Sequence, residues 1–105
     1  MNFPYIKEKY VNGTSWYRIY SDGWIEQGGQ SIFSSVGSQI ITYLKTFKNT
    51  NYTLSIQSIT STGNSTSNES QRGACAKGGA VSSTTTNNCT ILWASGTYSW
   101  YACGY

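Results

Sequence analysis

The chain has 105 residues, of which 38% are apolar, 15% aromatic and only 10% charged, with a formal net charge of +3. That length holds one domain with a thin core. The seven basic residues form no run, no apolar stretch is long enough to span a membrane, and the first residues lack the apolar core of a signal peptide, so nucleic-acid binding, membrane insertion and Sec-type export are not expected.

The polar surface must be neutral. Ser, Thr and Asn account for 37 of the 105 residues. Hydroxyls and amides beside aromatic rings suit sugars better than ion pairs do, although polar β-proteins share this composition.

Residues 1–13 read as an extended lead-in, with Pro4 discouraging helix and Asn12-Gly13 marking a turn. Trp16 to Gly29 then places aromatic and β-branched residues on both sides of Ser21-Asp22-Gly23, which is hairpin chemistry. A two-residue Asp22-Gly23 loop would set Ile19 against Glu26. A three-residue Ser21-Asp22-Gly23 loop, with Gly23 left-handed, pairs Tyr20 with Trp24, Ile19 with Ile25 and Arg18 with Glu26. The second register is preferred because each cross-strand pair is favourable, by roughly 0.2–1 kcal/mol.

Ser31–Phe33 and Gly37–Leu44 read as further β segments, the second leading into a solvated loop at Lys45–Asn51. Tyr52–Gln57 alternates strictly and predicts a strand with Tyr52, Leu54 and Ile56 inward. Ser61–Ser70 is a long polar tip, Gly73–Val81 a small-residue strand and Ser82–Asn88 a second polar tip. Thr90–Ala94 and Tyr98–Cys103 are expected as strands around a Ser95-Gly96 turn. In the last of these, Trp100, Ala102 and Gly104 share one face, and Tyr101, Cys103 and Tyr105 the other. No segment has helical periodicity. Short strands with frequent turns predict an all-β, antiparallel β-sandwich.

The hairpin Trp-Tyr-Arg-Ile-Tyr-Ser-Asp-Gly-Trp-Ile-Glu-Gln-Gly-Gly resembles the start of the C-terminal head domain of bacteriophage tail fibres. Ile41–Leu54 and the ending Trp100-Tyr101-Ala102-Cys103-Gly104-Tyr105 resemble the same family. The resemblance implies a head domain over residues 14–105, with residues 1–13 leading in from a fibre shaft. It also implies a homotrimer at the distal end of a tail fibre on the virion, binding a bacterial surface glycan or outer-surface protein during host adsorption. Ser61–Asn88 matches nothing in that pattern.

The chemistry available is sparse. There is no histidine, and the carboxylates are Glu8, Asp22, Glu26 and Glu69. Asp22 belongs to the turn and Glu26 faces Arg18, so the carboxylate pair of a glycosidase is missing, as are Ser-His and Cys-His arrangements. Cys75, Cys89 and Cys103 are odd in number and lack zinc-site spacing, so they read as free thiols, with a bridge between two of them the alternative in an extracellular setting. Neither metal nor cofactor is expected, nor is catalysis. A structural trimerisation cap without receptor contact is the competing role. The candidate ligand contacts are Asn64, Asn68, Glu69, Arg72 and Asn87 on the polar tips, with Tyr98 and Tyr101 if exposed; for these two, burial in the core or at an interface is the stronger reading.

Overall fold

The computed structural model describes residues 3–60, 75–78 and 86–105. It is all-β and antiparallel, with no helix among the described residues. The strands are β1 (Ile6–Asn12), β2 (Ser15–Tyr20), β3 (Ile25–Thr42), β4 (Thr53–Thr60), β5 (Cys75–Ala76) and β6 (Asn88–Gly104). They form one sheet in the order β1-β2-β3-β6-β4, with β5 also against β6.

The β2–β3 hairpin takes the predicted three-residue loop. Ile19 pairs with Ile25, Arg18 with Glu26 and Trp16 with Gly28. Gly23 has φ 95°, and the Tyr20 N–H donates to the Trp24 carbonyl at 2.8 Å. Asp22 closes the turn by accepting the Trp24 N–H at 3.1 Å, as an Asx side chain does. The lead-in is itself a strand: β1 turns at Gly13 (φ 63°) and pairs along β2.

Two expected breaks are absent. Ser31–Phe33 and Gly37–Thr42 belong to one 18-residue strand, and the Ser95-Gly96 turn lies inside the 17-residue β6. Phe33 pairs with Gly96, Gly37 with Ala94, and the register slips on either side of Gly37. The turn chemistry at these points bends a continuous two-stranded ribbon instead of ending it, as bulges do.

The bend makes the sandwich. Straight, β6 would be about 55 Å long. Instead the Phe47 N–H donates to the Thr86 carbonyl and the Lys48 N–H to the Tyr105 carbonyl, so adjacent loop residues hold both ends of β6. The Gln27 side chain makes the same closure from β3: its Nε2 donates to the Lys45 carbonyl at 2.8 Å, and its Oε1 accepts the Lys45 N–H at 2.9 Å. This fully buried amide has both ends satisfied, as burial requires. The sheet is thus folded onto itself in two layers.

Between the layers lie Ile25, Ile41, Tyr43, Phe47, Tyr52, Cys89, Ile91, Tyr98, Trp100 and Ala102. Tyr43 stacks on Trp100 and meets Phe47 and Tyr52 edge-on, while its hydroxyl bonds that of Tyr52 at 3.0 Å. Leu54 and Ile56 pack against this cluster, as the alternation of β4 predicts. The Lys45–Asn51 segment corrects the expectation of a solvated loop, since Phe47 is only 2% exposed and stacks on Tyr52 with centroids 4.4 Å apart. Cys89 is buried, and burial pushes its thiol up to about 11.

Candidate functional site

The residues named for ligand contact separate in the structure. Asn64, Asn68, Glu69 and Arg72 fall within residues 61–74, outside the described residues, on the connection from β4 to β5. Asn87 is exposed just before β6, and its carbonyl accepts the Tyr43 N–H at 2.9 Å. Tyr98 is a core residue, 5% exposed with its ring 6.0 Å from that of Phe33, so packing accounts for it. Tyr101 is half-buried on the opposite face of β6.

That outer face carries the most organised polar chemistry of the described residues. The hairpin loop sets Arg18 opposite Glu26, and the long β3–β6 ladder sets Tyr101 opposite Gly28, one step along. Glu26 consequently gathers three donors. Its Oε1 accepts from Arg18 Nε and from the Tyr20 hydroxyl at 2.9 Å, and its Oε2 accepts from the Tyr101 hydroxyl at 3.1 Å. Burial alone would push this carboxyl up, but the bonds from Arg18, Tyr20 and Tyr101 outweigh it and hold Glu26 below its ordinary value. Burial and the Glu26 bond raise Tyr101, which stays a neutral donor.

Aromatic rings are fixed around this carboxylate. The Arg18 guanidinium lies over the Trp16 ring, 5.1 Å from its centroid, and Trp16 meets Tyr101 at 6.0 Å with planes tilted by 42°. Trp16 lies close above Gly28, where a Cβ would stand 3.1 Å from the indole nitrogen and 2.6 Å from the Trp100 carbonyl oxygen. Only a residue without a side chain lets indole and backbone approach so closely. At the hairpin end Tyr105 meets Trp24 edge-on at 5.1 Å and donates its hydroxyl to Asp22 at 3.2 Å. On the opposite face Glu8 accepts from the Tyr17 hydroxyl and lies 3.6 Å from the Lys45 ammonium.

A second recess, of about 510 Å³, opens between the start of β4 and β5. Lys77 bridges it, donating to the Thr50 and Tyr52 carbonyls at 2.8 Å each with its ammonium over the Tyr52 ring. Among the described residues no three Asp, Glu, His or Cys side chains gather as a metal site needs.

No family model and no curated protein matches the chain. A solved structure of an N-truncated R2-type pyocin tail fibre does match, with a TM-score of 0.57 and 20% identity over 93% of this chain. The chain shares the fold of a tail-fibre segment. It spans 38% of the length of that pyocin fibre chain.

The sequence pointed to the polar tips and did not single out Trp16, Arg18 and Glu26 as a site. Their pairing was legible in the hairpin register, but Tyr101 joins them only through a ladder spanning about seventy positions of chain.

Proposed function

We propose that the chain is a non-catalytic receptor-recognising domain of a phage tail fibre or phage-tail-like particle, acting at the distal end of a homotrimeric fibre on a bacterial surface glycan or outer-surface protein. The observation that carries this reading is the tail-fibre fold over 93% of the chain. Two features of the molecule support it. Its described frame is a folded ribbon, and the sequence between its strands is rich in Ser, Thr and Asn over residues 61–70 and in Ser and Thr over residues 82–86. Binding loops on a rigid scaffold are a common division of labour. Asn64, Asn68, Glu69 and Arg72 are the candidate contacts on the first of these segments, with Asn87 just before β6 and Tyr101 on the outer sheet face. Weak sites repeated around a trimer gain avidity without high intrinsic affinity.

The test is direct. Fluorescently labelled protein, applied to a panel of bacterial strains, should decorate some of them and should block adsorption of a particle bearing the same fibre. A purely structural cap would do neither. Decoration that survives replacement of both polar connections would move the receptor contacts elsewhere.

A further inference from the structure

We propose that the recess beside Trp16 and Tyr101 is a binding site for a neutral pyranose, distinct from the polar tips. This assignment rests on the receptor-recognising reading above and gives it a specific sugar class and place.

The recess has a volume of about 400 Å³, within the range of about 300–1,000 Å³ typical of small-ligand sites. Trp16 and Tyr101 form aromatic walls, and Thr14, Gln30 and Ser99 bring two hydroxyls and an amide to the same space. Trp100 also lines it. Its indole nitrogen lies against Gly29, another lining residue.

The chemistry matches a sugar on both counts. A pyranose has a face of C–H bonds, which aromatic carbon covers, and a rim of hydroxyls, which need donors and acceptors together. Ser, Thr and Gln side chains supply both in one group, whereas Trp supplies a donor only. Among the described residues no charged side chain lines the recess. An acidic sugar or a phosphate would find the nearby Arg18 guanidinium already engaged by Glu26, so the neutral sugar is favoured.

The walls are also held in advance. Tyr101 is tied by its hydroxyl to Glu26, and Glu26 is tied by Arg18 and Tyr20. Trp16 is confined between the Gly28 backbone, the Arg18 guanidinium and Tyr101. Groups ordered before binding lose little freedom on binding, which raises affinity for a weakly held ligand. Glu26 acts as a positioning residue behind the site.

The experiment uses the full chain and free sugars, independently of any cell. Methyl glycosides of glucose, galactose and mannose, with N-acetylglucosamine, are titrated by NMR while the indole N–H signals and the Ser99 and Tyr101 amides are followed. Glucuronic acid and inorganic phosphate serve as charged comparators. At least one neutral sugar should shift the Trp16, Trp100 and Tyr101 signals with a single dissociation constant. Ser99→Val and Tyr101→Ala, checked for wild-type melting, should each weaken that constant about tenfold, as loss of one good contact does. Tyr101→Phe keeps the ring and should weaken it less.

Absence of any shift with the four neutral sugars would overturn the assignment, as would a stronger response to glucuronic acid or phosphate. If the protein decorates cells but no neutral sugar moves these signals, the site is refuted while the receptor reading stands. If sugars bind here yet no strain is decorated, the site stands and the receptor reading fails.

Discussion

Gly23 and Gly28 are glycines for different reasons, and the difference is measurable. Gly23 has φ 95° with an open neighbourhood, the nearest atom to a built Cβ being a Tyr105 ring carbon at 3.8 Å. Its cost on substitution is therefore backbone strain alone, and Gly23→Val should destabilise the fold by roughly 1–2 kcal/mol in denaturant titration. Gly28 needs no special φ, but a methyl group there meets the Trp100 carbonyl at 2.6 Å. Gly28→Ala should cost about 1–3 kcal/mol by overpacking, and should also shift the Trp16 fluorescence, which Gly23→Val should not. Glu26 is legible through pH. Its carboxyl is held below the unfolded value of about 4.3, so its stabilisation is complete above that pH and is lost as pH falls through the lower, folded value. Melting temperature measured against pH should fall more steeply on the acid side for the wild type than for Glu26→Gln. Glu8, lowered chiefly by its Tyr17 bond, should leave a smaller acid slope in the variant.

Among the elements, the Lys45–Asn51 loop has more structural consequence than its composition implies. Phe47 enters the core, and the neighbouring backbone N–H groups hold the two ends of β6. Phe47→Ala should cost about 3–5 kcal/mol, as other buried aromatic truncations do, and should loosen the fold-over of the ribbon along with the core. Hydrogen exchange at both ends of β6 should rise together in that variant. The connection from β4 to β5 is expected to behave oppositely. Replacing Asn64–Asn68 by a short Gly-Ser linker should leave the melting temperature almost unchanged and weaken cell decoration, while sugar binding beside Trp16 persists.

At the scale of the molecule, the surface argues for a partner. Val11, Ile32, Ile40 and Ile59 are 73%, 77%, 54% and 49% exposed, a large apolar display for a chain with so little charge. Exposed apolar side chains become an interface where they form one contiguous patch. We expect a trimer by light scattering at micromolar concentration. Charges at Ile32 or Ile40 test it best, because both side chains are already exposed and the folded monomer loses little. Tyr101→Asp and Tyr105→Asp are poorer probes: they would set a carboxylate beside Glu26 or Asp22, the present hydrogen-bond partners of those tyrosines. Ile32→Asp or Ile40→Asp should weaken association. A monomer mass for the unaltered protein would remove the need for any subunit interface.

The sequence by itself determined the short-range structure. Arg18 against Glu26, the Ser-Asp-Gly loop, the inward side of β4 and the two faces of the last strand all follow from turn chemistry and period-two alternation, which act over a few residues. Only the tertiary structure decided what the interval at residues 34–36 and the Ser95-Gly96 turn would do. Read alone they end strands; paired with each other across the ribbon they bend it, because the ladder supplies hydrogen bonds that a free turn would have to make locally. The burial of Phe47 and the meeting of Trp16 with Tyr101 depend on that fold-over and that long ladder. They join residues far apart in the chain, and no local pattern carries the pairing between them.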